Sequence, residues 1–290
     1  SVEEIESFVY TKILAKAISH MVQYVISGNK DALMEAQKIL LDLIELSQIN
    51  GESHLWWIFR LLYLVFGEYE EASLWTVLPP IIGNQEKCSD YIRANIYKQP
   101  SVVELFKSQR ECINKSLNDD SVVIGMPTSS GKTKIAEISI IKTLIDYPDS
   151  LCIYIAPFRS LANEIEYSLS SVLNSMGYVL SNLYGSAQAT QIDRQLVSEA
   201  NVVVATLENT KSILRSNPES EERIKLVIID EGHLVGGQPR YITAELLIEE
   251  IKTILKKNNG KLILLSAVLP NLSDFSEWIS ESKDRISKSS

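Results

Sequence analysis

The chain of 290 residues carries 28 Lys plus Arg against 37 Asp plus Glu, a formal net charge of −9. That balance excludes a protein that coats nucleic acid by bulk charge, and leaves open only a local basic groove. An apolar content of 45% and a charged content of 22% describe a globular protein with ample core, in one large domain or two ordinary ones.

The opening stretch, SVEEIESF, is acidic and lacks the apolar core of a signal peptide. Residues 1–98 read as helices only, a helical N-terminal domain. Ile5, Val9, Leu14, Ile18, Val22 and Val25 recur every three to four residues and predict one face of a first helix, ended by Gly28 and Asn29. A second helix follows with Leu33, Ala36, Ile39, Leu40, Leu43 and Ile44, broken at Gly51. The third holds LWWIFRLLYLVF (55–66) and is closed by Gly67; a fourth runs from about Tyr69 to Pro79-Pro80. The tryptophan-rich run is interrupted by Arg60 and shorter than the ~20 residues of a membrane span, so it predicts a buried core helix and no membrane partner. Trp56, Trp57 and Trp75 are expected in the core rather than on a docking surface.

From Ser101 the rhythm changes. Apolar runs at 121–126, 151–157, 178–184, 201–206, 224–230 and 261–267 alternate with helix-length segments. This pattern predicts an α/β domain over 99–290, a parallel sheet with helices on both faces. Ligands of such sheets bind at the carboxyl ends of the strands. Cys88, Cys112 and Cys152 lack CxxC spacing, and the three histidines are far apart. They predict buried or incidental thiols in a reducing compartment and no zinc site.

The first strand is followed by PTSSGKT and then a helix starting near Lys132, the context of a phosphate-binding loop. Thr128, Ser129, Ser130 and Gly131 are assigned to nucleotide, with the backbone N–H groups from Ser129 to Lys132 pointing at phosphate oxygens. Lys132 adds positive charge on the β- and γ-phosphates, and the Thr133 hydroxyl ligates Mg²⁺. After the fifth strand stands DEGH, 230–233. Asp230 suits Mg²⁺, and Glu231 suits the orientation and deprotonation of an attacking water. After the sixth stands SAVLPN, where Ser266 is placed to hydrogen-bond and couple to His233. Upstream, Phe106 lies three residues before Gln109, whose amide both donates and accepts and so fits the edge of adenine. Arg159 in APFRSLANE and Thr206 in ATLENTK suit the phosphates of a nucleic acid strand; from chemistry alone they serve equally as helix caps.

The ordered set PTSSGKT, APFRSLANE, ATLEN, DEGH and LSAVLPN resembles the first RecA-like domain of superfamily 2 helicases, and within these the Ski-like, DExH-type group. The resemblance spans about 105–280. It implies ATP and Mg²⁺ in the roles above, with Gln109 reading adenine and nucleic acid contacts near Arg159 and Thr206. Met126 stands where the family has a small residue, Gly232 where many relatives have another residue, and Val268 where a Thr is usual. The family's transition-state arginines come from a second RecA-like domain, for which no segment is read here. The expectation is therefore the N-terminal part of a longer motor, with weak or no hydrolysis by itself.

The expected function is that part of an ATP-dependent helicase or translocase acting on DNA or RNA, with a lean to DNA, in repair, RNA surveillance or antiviral defence. The alternative is a nucleotide-binding scaffold or switch that docks a partner protein through the helical region. Residues 1–100 hold 8 Lys plus Arg against 13 Asp plus Glu, which suits a protein partner better than nucleic acid. The expected location is cytoplasmic, or nuclear in a eukaryote. The site reading rests on Lys132 and Asp230 sharing one magnesium–triphosphate, carried there by neighbouring strands.

Overall fold

In a computed structural model of the chain, residues 2–118, 121–127, 131–183, 191–231 and 239–267 are described. Their contacts gather into two compact units: Ser1–Pro80 with Asn95–Leu105, and Ile81–Ala94 with Phe106–Ser290.

The first unit is helical. Helix α1 (Val2–Ser27) ends at Gly28, which takes φ +71°. The ring of Trp75 lies where a Cβ on Gly28 would stand, 2.6 Å from it, so both the turn and the close approach require glycine. Asn29 then caps α2 (Lys30–Ile49), its Oδ1 accepting from the Asp31 amide at 3.0 Å. The packed face of α2 is Leu33, Ala36, Ile39, Leu40 and Leu43, as its spacing predicts. That of α1 is not: Tyr10, Ala17, Met21 and Tyr24 are buried, while Val9, Ile18 and Val22 are exposed. The helix carries apolar residues around most of its girth, and the small Ala17 lies on the face that meets its neighbours.

Helix α3 (Ser53–Ala72) continues through Gly67 instead of closing there. The ~1 kcal/mol a mid-helix glycine costs is outweighed by burial of Phe59 and Phe66 on the same helix. Ser73 ends it and caps the single turn α4 (Leu74–Val77), accepting from the Trp75 amide at 3.3 Å; a second turn, α5, is Pro79–Ile82. The predicted long fourth helix is therefore these two turns. The tryptophan-rich run is not a buried core helix either. Trp57, Ile58, Leu61, Leu64 and Val65 are 48–67% exposed, because α3 has two apolar faces and only one is covered. Trp56 and Trp75 are half-buried, and the Trp75 indole N–H donates to Val25 O at 2.9 Å. Among the described residues no helix is long and apolar enough to cross a membrane.

Helix α6 (Gln85–Tyr97) belongs to the second unit up to Ala94, and that unit's further elements are α7 (Lys107–Asn118), β1 (Ser121–Gly125), α8 (Lys132–Asp146), β2 (Leu151–Ala156), α9 (Arg159–Ser175), β3 (Leu180–Leu183), α10 (Gln191–Glu199), β4 (Val202–Thr206), α11 (Leu207–Ser216), α12 (Pro218–Glu221), β5 (Ile224–Ile229), α13 (Pro239–Asn258) and β6 (Lys261–Ser266). The six strands form one all-parallel sheet in the order β1-β6-β5-β2-β4-β3, the RecA-like arrangement of strands covered by helices. Each strand begins and ends within about two residues of its apolar run. β2, β4 and β5 are buried almost throughout, as central strands between two helical layers must be. On one face Ile153, Val203, Val227 and Leu264 pack with Leu247, Ile248 and Ile251 of α13. At the opposite end from the strand tips, the Arg223 guanidinium donates to the carbonyls of Asp149, Ser198 and Ala200 at 2.7–2.9 Å. Residues 81–94 pack with this unit: the Tyr91 hydroxyl donates to Glu137 Oε1 at 2.6 Å, where Lys134 Nζ also arrives at 2.6 Å.

Candidate active site

Strand β1 delivers the chain to Met126, whose amide donates to Ser266 O at 3.0 Å, and whose side chain is buried. Thr128, Ser129 and Ser130 lie outside the described residues. Gly131 follows with φ +77° as the N-cap of α8, a conformation that excludes most side chains. It starts the helix so that Lys132 and Thr133 occupy the first turn. Lys132 is 6% exposed and Thr133 half-buried.

Gln109 is 4% exposed and lies behind this turn. Its Nε2 donates to Gly131 O at 3.2 Å and its Oε1 accepts from the Phe106 amide at 2.9 Å. The amide thus clasps the loop to the start of α7. One N–H and one lone pair remain on it for a ligand. Phe106 is 60% exposed, a free apolar ring beside that amide.

At the tip of β5, Asp230 is 8% exposed. Its Oδ2 accepts from the Tyr154 hydroxyl at 2.6 Å and its Oδ1 from the Glu231 amide at 2.9 Å. Burial pushes the Asp230 carboxyl above the ordinary carboxylate range; the Tyr154 hydrogen bond and the nearby Lys132 charge pull the other way. Glu231 takes φ +52°, a left-handed conformation that is uncommon for a side-chain-bearing residue and is found at functional turns. That turn aims its carboxylate at Lys132, and Oε1 stands 2.9 Å from Nζ.

Lys132 and the acidic pair are therefore in one place, but not by the expected route. β1 and β5 are not neighbours: β6 lies between them, pairing Gly125 with Ser266 on one side and Ile229 with Leu264 on the other. Lys132 at the start of α8 and Glu231 after β5 meet although β6 lies between their strands, and β6 ends in the small residues Ser266, fully buried, and Ala267. His233, expected to couple with Ser266, lies outside the described residues, as does Val268.

Arg159 and Thr206 fall elsewhere. Arg159 is exposed in the first turn of α9, and Thr206 is the 6%-exposed N-cap of α11. β2 and β4 are neighbours with Ala156 opposite Thr206, so these two residues stand at adjacent strand ends. β2 also pairs with β5, so in sheet order these two ends continue directly from the acidic tip, on the side away from β6 and β1. Two helix N-termini, those of α9 and α11, open at that end.

The oxygens on hand suit a hard divalent cation: the Thr133 hydroxyl and the Asp230 carboxylate, whose two oxygens each keep a lone pair beyond their present bonds. Among the described residues no group of three or more His, Cys, Asp or Glu forms a metal cage. Tyr154 was not legible as a site residue; the signal available was a lone hydroxyl-bearing side chain in the otherwise apolar LCIYIA.

Comparison with known proteins agrees with this geometry. A family model described as DEAD/DEAH box helicase matches residues 106–275. The chain is similar to the Hachiman protein HamB of Bacillus cereus, 57% identical over 282 residues, 97% of this chain and 25% of that protein. It is also similar to the ATP-dependent DNA helicase Hel308 of Thermoplasma volcanium, 30% identical over 201 residues, 69% of this chain and 28% of that protein. The chain thus spans about a quarter of the length of these relatives. Among solved structures, the helicase MrfA bound to DNA and AMPPNP shares the fold, with a TM-score of 0.57 at 20% identity over 69% of this chain and 29% of that one. With Lys132 beside the Asp230-Glu231 pair at the β5 tip and a family match over more than half its length, the chain belongs to the DEAD/DEAH box helicases.

Proposed function

We propose that this chain is the N-terminal part of an ATP-dependent DNA helicase or translocase. The observation that carries the reading is the 2.9 Å contact between Lys132 and Glu231, which brings a phosphate-binding lysine and a water-activating acid to one point. In this reading Thr128 and the backbone N–H groups from Ser129 to Lys132, through Ser130 and Gly131, hold the nucleotide, with the Lys132 ammonium on its phosphates. Gln109 and Phe106 hold the adenine. Thr133 and Asp230 hold Mg²⁺, which when bound neutralises developing phosphate charge. Glu231 accepts the proton of the attacking water. His233 and Ser266 link this end of the sheet to movement, and Arg159 and Thr206 grip backbone phosphates of a single strand.

DNA is favoured over RNA because Hel308 is named a DNA helicase and MrfA has been solved with DNA. The similarity to a Hachiman protein favours antiviral defence among the expected pathways, and with it a cytoplasmic setting. Residues 99–290 are then the first RecA-like domain, residues 1–98 the helical N-terminal domain, and a second RecA-like domain of the parent chain is the partner that completes the ATP site. The experiment is ATP turnover by the full-length parent with single-stranded DNA or RNA. DNA-stimulated turnover that Glu231→Gln abolishes while ATP stays bound is the expected result. A parent that binds ATP but turns over no faster with either nucleic acid sinks the motor reading.

One observation favours a second reading, a nucleotide switch that docks a protein: the exposed stripe Trp57, Ile58, Leu61, Leu64 and Val65 on α3. In that case Glu231→Gln in the parent leaves function intact.

A further inference from the structure

Strand β2 reads LCIYIA, aliphatic apart from a thiol and one hydroxyl-bearing ring. That ring, Tyr154, is fully buried at 0% exposure. In the sheet Tyr154 lies opposite Ile228 of β5. Side chains alternate along a strand, so Tyr154, Ile228 and Asp230 share one face, and Asp230 is the diagonal neighbour of the ring.

The hydroxyl of Tyr154 donates to Asp230 Oδ2 at 2.6 Å, the Glu231 amide donates to Oδ1 at 2.9 Å, and the Asp230 amide donates to Ile155 O at 2.9 Å. Three bonds define the Asp230 backbone and carboxylate together. Packing does not require the oxygen: phenylalanine would fill the same space, and a buried hydroxyl is costly unless partnered. The 2.6 Å distance is that of a charge-assisted O–H···O⁻ bond. Burial first, and the Asp230 charge next, hold the phenol well above its ordinary value, so it remains a donor at neutral pH.

We propose that Tyr154 is a positioning residue. Its hydroxyl holds the Asp230 carboxylate in one rotamer and leaves the other lone pairs of that carboxylate for the divalent cation that accompanies the nucleotide. The proposal rests on the reading of Asp230 as the Mg²⁺-facing acid. Tyr154 acts through Asp230, to which its hydroxyl donates, as hydrogen-bonded outer partners of metal-facing carboxylates do.

The test is binding of a fluorescent ATP analogue to the full chain across a Mg²⁺ titration and in EDTA. Tyr154→Phe is expected to raise the Mg²⁺ concentration for half-maximal binding about tenfold, with binding in EDTA unchanged. The same change placed in an Asp230→Asn background is expected to add nothing. An unaltered Mg²⁺ requirement, or an equal loss in EDTA, overturns the positioning role while leaving the site reading intact. Absence of any Mg²⁺-dependent binding by the unaltered chain overturns the site reading, and this proposal with it. Should Tyr154→Phe not fold, a fluorotyrosine installed at position 154 alone keeps the hydroxyl. Its ¹⁹F resonance is expected to move with nucleotide plus Mg²⁺ beyond its position with nucleotide plus EDTA, and a resonance that does not move overturns the proposal.

Discussion

Lys132 Nζ and Glu231 Oε1 stand 2.9 Å apart although 99 residues separate them in sequence, with side chains only 7% and 18% exposed. In this arrangement the lysine that would hold phosphate is engaged by the acid that would activate water. On the proposed reading a triphosphate would compete with Glu231 for the same ammonium, and nucleotide entry would exchange one for the other.

Glu231→Gln is accordingly expected to weaken the nucleotide-free chain by about 1.5–3 kcal/mol, the scale of a lost charge-assisted bond. It is also expected to leave ATP affinity equal or higher, because Lys132 is released. Urea unfolding and a fluorescent-nucleotide titration measure the two effects. A marked fall in ATP affinity would mean that the ion pair supports the pocket rather than competing with phosphate.

Gly131→Ala tests the clasp between α7 and the loop. An alanine there must hold φ near +77°, at a cost of about 1–2 kcal/mol, and its methyl would meet the Gln109 amide nitrogen. The expected outcome is that much lost stability together with weakened ATP binding. Thermal melting and a competition between ATP and GTP would show it; a variant with unchanged adenine preference would mean that Gln109 does not need its present seat.

Tyr91→Phe tests the anchoring of residues 81–94 on the nucleotide unit. It removes a 2.6 Å donor from Glu137, which is 1% exposed. Bonds to buried charges contribute about 1.5–3 kcal/mol, and a urea midpoint shift of that size is expected at unchanged slope. A shift corresponding to less than about 0.5 kcal/mol, within the range of ordinary surface changes, would show the bond to be incidental.

The two faces of α3 predict opposite outcomes. Phe59, 1% exposed, should lose about 3 kcal/mol or more on change to alanine. Trp57, 67% exposed, should change stability by no more than about 0.5 kcal/mol. Equal losses in chemical denaturation would mean that the outer stripe is covered.

The sequence by itself determined which residues form strands and what stands at each carboxyl end. An unbroken apolar run bounded by Gly, Pro or charge is a local signal, and PTSSGKT and DEGH lie directly on such boundaries. What it left open was non-local. The insertion of β6 between β1 and β5 is a matter of strand order, which no window of sequence encodes. Helices α1 and α3 carry apolar residues on more than one face, so periodicity named a helix without saying which stripe would find a partner. Tyr154 and Glu137 became legible only in three dimensions, since a buried hydroxyl or carboxylate is defined by the group it meets, and those groups, Asp230 and Tyr91, lie 76 and 46 residues away. Local chemistry was written in the chain; pairing was decided by which buried polar groups the fold could satisfy.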